Sequence, residues 1–229
     1  MCAACGPVAI IVFFIGFAIA GFFPPPSPHL SARAVARIYS EHTDRIRLGG
    51  FIMVFSSGVV APFAAAVAVQ MRRIEGTDTA VLSLTQLAAG TAGILLFLTE
   101  AMFWSITAFR PDRSPAITQT LNDIAWFFTV MPFALIFIQN LSIGAAVLSD
   151  QRREPVFPRW LAYFNFWAAA LYVPGGTCVF FHAGPLAWNG VLAFWVPACV
   201  YCTWFVTMAG YVIRAARQQR AELRVPAAD

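Results

Sequence analysis

Residues 80–108 read AVLSLTQLAAGTAGILLFLTEAMFWSITA, an unbroken apolar run whose single ionisable side chain is Glu100. About 20 mainly apolar residues let a helix cross the hydrocarbon core of a bilayer, so this run reads as a membrane span. Working outward, five further runs of this kind lie at about 7–23, 49–70, 121–148, 159–183 and 189–213, bounded by Arg, Asp, Pro or Gly clusters. The expected fold is all-α: a polytopic integral membrane protein, one transmembrane domain over 1–229, built as a six-helix bundle with Pro-kinked helices.

Composition agrees. Charged residues make up 11% of the chain and apolar types 59%, whereas a soluble domain carries about 25% charged residues. All 15 basic residues are arginines, and 15 − 11 acidic residues gives the net charge of +4. The absence of lysine excludes a Schiff-base retinal protein, a lysine nucleophile of the aldolase kind and a Walker-type phosphate lysine, since each needs an amine.

An even number of spans puts both termini on one side. Nine arginines fall there (Arg72, Arg73, Arg152, Arg153, Arg159, Arg214, Arg217, Arg220, Arg224) and six on the other (Arg33, Arg37, Arg45, Arg47, Arg110, Arg113). The positive-inside rule therefore places the termini in the cytoplasm and the protein in a cytoplasmic membrane, and the arginine-only, Ala-rich composition suits a bacterial source. The first run is read as a span and not a cleaved signal, because no basic residue precedes it. Connection 24–47 opens with Pro24-Pro25-Pro26-Ser27-Pro28 and continues as an amphipathic stretch, with Val35, Ile38 and Tyr39 opposite Arg33, Arg37, Glu41 and Asp44. That pattern predicts a helix lying in the interface, either as an anchor or as a lid. The basic tail 214–229 reads as a contact with anionic lipid.

Ionisable groups inside hydrocarbon cost several kcal/mol unless paired or hydrated, so Glu100 leads the candidate residues. Topology brings to its side of the bundle Asn122 and Asp123, His182, Trp188 and Asn189, and the loop residue Arg110, with Trp104 and Trp126 one turn beyond Glu100 and Asn122. The three tryptophans read either as an interfacial belt or as walls of a ligand pocket. Pro132, Pro174 and Pro197 fall near the depth of Glu100, and helix breaks around one buried acid are what a midplane cavity needs. Gln86, Gln139, Asn140, Asn165, Thr203 and Thr207 belong to the other leaflet and read as interhelical hydrogen bonds, while Ala89, Gly90, Gly93 and Gly144 offer small packing faces.

Other chemistries find little support. Two of the three histidines lie in the first loop, which disfavours a bis-His cytochrome. No ligand spacing supports a metal, Cys2-Ala-Ala-Cys5 lacks a redox-fold setting, and the G-x-S-x-G, H-E-x-x-H and phosphate-loop patterns are missing, so no cofactor is expected. Nucleic acid binding would need a soluble basic domain. The function expected is binding of a lipophilic small molecule (isoprenoid, sterol or lipid-like) in an intramembrane aromatic pocket. If the pocket is catalytic, Glu100 would serve as acid, Asp123 or His182 as partner, and Trp104, Trp126 and Trp188 would stabilise positive charge. Asn122, Asn189 and Arg110 complete the expected binding set. The alternatives are a proton-coupled transporter or exporter and a non-catalytic anchor or scaffold subunit, with a homo-oligomer or membrane partner compatible with all three.

Overall fold

The structure is a computed structural model that describes residues 1–76 and 80–223; the last part of the basic tail, including Arg224, lies outside the described residues. Among the described residues nine α-helices follow one another: α1 (Cys5–Ile19), α2 (Ala32–Glu41), α3 (Thr43–Val59), α4 (Ala61–Glu75), α5 (Val81–Phe109), α6 (Pro115–Val130), α7 (Phe133–Ser149), α8 (Trp160–Gly176) and α9 (Val196–Glu222). No strand occurs among the described residues. Five helical stretches are long and apolar enough to cross a membrane: Cys2–Ile19, Thr43–Glu75, Val81–Phe109, Pro115–Ser149 and Val191–Glu222. The molecule is thus an all-helical, multi-pass membrane protein. The face where α1 and α5 end is called distal below, and the face where α1 begins proximal.

The second and fourth runs of the sequence are each two helices. Pro62 in the first turn of α4 lacks the N–H that would continue α3. Pro132 is the N-cap of α7 and interrupts α6 after Val130. Pro197 stands in the first turn of α9, directly after a π-helical turn at Val191–Trp195. Pro174 lies inside α8, which has 17 residues and continues as a 3₁₀ turn, Thr177–Phe180. At the proximal loop Gly76 ends α4 with φ 82°, and the Glu75 carboxylate accepts from the first N–H groups of α5, Leu82 at 2.8 Å and Ser83 at 2.7 Å. That caps a helix whose N-terminus would otherwise be bare.

Packing follows the small residues where they meet. A Cβ on Gly16 would lie 2.8 Å from Gly49 O, so α1 and α3 touch backbone to backbone. Gly90 is pressed by Gln139 Nε2 and Gly144 by the Phe166 ring, but a Cβ on Gly93 would meet nothing within 4 Å, so that residue serves no close helix contact. Helix α5 packs mainly on α3, α4, α6 and α7, and meets α9 through the Phe97 and Tyr201 rings, 5.6 Å apart. At the proximal end Trp204 Nε1 donates to Asn165 Oδ1 at 2.9 Å, Gln70 donates to Gln219, and Arg73 pairs with Glu222 at 2.8 Å. In the α7–α8 loop the Asp150 carboxylate accepts from Arg152 and from Val156 N–H. Burial pushes the Asp150 carboxyl up, but these hydrogen bonds and the Arg152 charge outweigh it and hold it below the usual carboxylate range.

Candidate functional site

Two layers stand one above the other in the distal half. The upper layer is an aromatic block. Trp104 and Trp126 are fully buried, with ring centroids 5.2 Å apart, and Trp126 stacks on Trp188 at 6.3 Å. Phe17 and Phe22 wedge between them, Phe22 at 4.7 Å from Trp104. The three tryptophans do come together, but as packed core: all are buried, which an interfacial belt is not, and they are not among the residues that line the cavity beneath.

Helix α2 covers this block. Val35 and Tyr39 face inward while Arg33 and Glu41 look outward, and the Arg37–Glu41 ion pair is exposed. Three hydrogen bonds strap the first connection down: Trp188 Nε1 to Pro26 O at 2.8 Å, Gln119 Nε2 to Leu30 O at 3.2 Å, and Tyr39 Oη to Asn122 Oδ1 at 3.0 Å. Asn122 Nδ2 then donates to Asp123 Oδ1 at 3.2 Å. Burial, then the Asp123 charge, push the Tyr39 hydroxyl far above the usual phenol range, so it stays a donor. His182 is exposed, within electrostatic reach of Asp123, and its ring centroid is 6.4 Å from that of His29.

The lower layer is a cavity of about 130 Å³ between α5 and α9, bordered also by α1, α4, the α6–α7 break and α8. Glu100 projects into it, 1% exposed, and its Oε1 has no hydrogen-bond partner. Helical rise puts Glu100 about 13 Å from the distal end of α5. Thr129, beside the α6–α7 break, faces the carboxyl, and Tyr201 of α9 lies within electrostatic reach of it. Tyr172 of α8 reaches the same space with its hydroxyl unpartnered, its ring edge-on to Tyr201 at 6.3 Å. Nine phenylalanines line the remainder, Phe13, Phe97, Phe133 and Phe194 among them. Pro132 and Pro197 border the cavity; Pro174 does not. The middle of α5, from Ala92 to Thr99, stays incompletely buried, and Gly93, Ile94, Leu96 and Phe97 of that stretch line the cavity.

Of the residues expected from sequence to be catalytic or ligand-binding, Glu100 alone lines the cavity. Asp123, Asn122 and His182 gather at the distal rim, with the tryptophan block between Trp104 and Trp188 beside them. Asn189 lies half-buried in the loop before the π turn, and Arg110 is exposed at the end of α5. Among the described residues neither Arg110 nor Arg113 forms an ion pair with Asp112 or Asp123; Arg113 donates to Ile106 O at 3.4 Å. Gln139, assigned by sequence to the opposite leaflet, packs there against Gly90, and the cavity extends down to both. Tyr172, Tyr201 and Thr129 were not singled out from sequence. The signal was there: Tyr172 is two residues before Pro174 and Tyr201 four after Pro197, the prolines already placed at the depth of Glu100.

An acid, two phenols, a threonine and an amide set in a phenylalanine shell can hold one small apolar body and hydrogen-bond a polar group on it. No protein-family model, curated protein or solved structure matches the chain.

Proposed function

We propose that the protein binds a lipophilic small molecule within the membrane, in the cavity between α5 and α9, with Glu100 as its polar anchor. The observation that carries this reading is the pair of unpartnered polar atoms, Glu100 Oε1 and Tyr172 Oη, facing one aromatic cavity. Buried polar groups in proteins nearly always have partners, and a ligand between these two would supply both. Asp123 and His182 then belong to the distal rim that seats α2, and Trp104, Trp126 and Trp188 form a packed layer set off from the cavity by Phe17. In this reading α8 and its 3₁₀ continuation make a sixth pass, the helices bend at Pro132, Pro174 and Pro197, and the termini face the cytoplasm of a bacterial cell.

The test is mass spectrometry of small molecules that co-purify with the wild type and with Glu100→Gln, in one detergent and at matched helicity. A discrete lipophilic species held by the wild type alone is the expected result, and identical bulk-lipid profiles would overturn the reading. The α6–α7 break and the π turn before Pro197 both border the cavity and favour a second reading, a proton-coupled transporter whose broken helices open in turn. It requires a pH-gradient-driven proton flux in proteoliposomes that Glu100→Gln abolishes.

A further inference from the structure

Among the described residues one carboxyl lines the cavity, and no arginine or histidine does. Arginines with contacts in the structure are engaged at the two faces: Arg45 with Ile19 O, Arg47 with the Ala108 and Phe109 carbonyls, and Arg73 with Glu222. A carboxylate in hydrocarbon without a counter-charge is costly, and the chain supplies none here. What it supplies is aromatic faces. Phe97 and Phe13 cross edge-on at 5.2 Å one turn below Glu100, Tyr201 lies 5.6 Å from Phe97, and Phe205 packs on Tyr201 at 4.8 Å. The negative faces of such rings attract cations, most strongly where water is excluded.

We infer that the ligand of the Glu100 cavity is a lipophilic cation of the substituted-ammonium class, its charge paired with the Glu100 carboxylate among the rings of Phe97, Phe13 and Tyr201. This rests on reading the cavity as a ligand site. Its volume of about 130 Å³ compares with the roughly 150 Å³ of an engineered apolar cavity that takes benzene. One aromatic ring or a few branched carbons therefore fills it, and larger molecules extend past Gly93, where a Cβ would meet open space. A permanent cation displaces the carboxyl proton, which leaves to solvent as the ion pair forms. Tyr172 and Tyr201 are the other titratable side chains that line the cavity among the described residues.

Benzyltrimethylammonium and neopentylbenzene have the same shape and differ by one charge, so they isolate the inference. Each is equilibrated by dialysis against the wild-type protein in nanodiscs, with empty nanodiscs subtracted. Saturable binding of the cation, at least tenfold tighter than that of the hydrocarbon, is expected, and Glu100→Gln should remove the preference. Equal or tighter binding of neopentylbenzene would overturn the cationic ligand and leave the cavity reading standing. Absence of saturable binding by either would overturn both. The comparison within the wild type decides the matter even where Glu100→Gln fails to fold.

Discussion

The tryptophan block and the cavity below it are made of the same residue types, buried aromatics around a few polar groups, yet they are finished differently. In the block, large rings fill space, and beside it the Tyr39 and Asn122 side chains are joined to each other. In the cavity nine phenylalanines leave a void, and Glu100 Oε1 and Tyr172 Oη go without partners. Even the block has orphans, the indole N–H groups of Trp104 and Trp126, but those have no cavity beside them. A buried polar atom beside packed rings is a local cost; one facing a space is a place for something else to bind.

If the block is a load of packed rings and the cavity a binding void, substitutions of one kind should differ between them. The largest difference is expected from truncating rings. Trp104→Ala should destabilise by about 3–5 kcal/mol, the range for removing a large side chain from a tight core. Phe97→Ala, beside a void that already exists, should cost less than half of that, as read by reversible unfolding in detergent. Equal losses would mean that the cavity is as tightly packed as the block.

Next comes the polar pair. Asn122→Leu strands the Tyr39 hydroxyl and should cost about 1–2 kcal/mol. Glu100→Leu removes an unsatisfied acid and should leave stability unchanged or raise it, while ligand retention is lost. A strongly destabilised Glu100→Leu protein would show that the carboxyl ties helices together and would support the scaffold alternative.

Asp150 provides a satisfied acid outside the membrane as a control. Its carboxyl is held below the usual range in the folded state, so its stabilisation is complete above the unfolded value near 3.8 and is lost as pH falls through the lower folded value. Asp150→Asn should flatten that part of the acid stability profile, and an unchanged profile would show that the loop hydrogen bonds contribute nothing. The smallest effect is expected at Gly93. Gly93→Ala adds a methyl to open space, and the better helix propensity of alanine should balance or exceed any loss, within about 1 kcal/mol. A larger destabilisation would place a packed neighbour at the mouth of the cavity.

Several features were legible before any coordinates. Hydropathy located the apolar runs, the amphipathic pattern from Val35 to Tyr39 located α2, and the lone ionisable group of residues 80–108 located the cavity. Depth counted along helices grouped Pro132, Pro174 and Pro197 with Glu100, and the structure sets Pro132 and Pro197 beside the cavity but not Pro174. The same counting failed for Trp104, Trp126 and Trp188, because depth does not say whether a side chain points to lipid, to a void or to another ring. Gln139 does lie in the other half of the bundle, against Gly90 ten residues before Glu100, but the sequence did not show that the cavity reaches down to it.

The sequence by itself determined that the chain is helical, that it spans a membrane, and that it carries one acid into the apolar interior. These depend on composition and on runs of about 20 residues, which are local properties with a known transfer cost. Only the tertiary structure decided that a cavity lies between α5 and α9, that Tyr172 and Tyr201 join Glu100 there, and that Asp123 and His182 do not. Such partnerships depend on helix rotation and on breaks at proline, which set where each side chain points, and a linear pattern of apolar residues is nearly the same for every rotation of a helix surrounded by lipid.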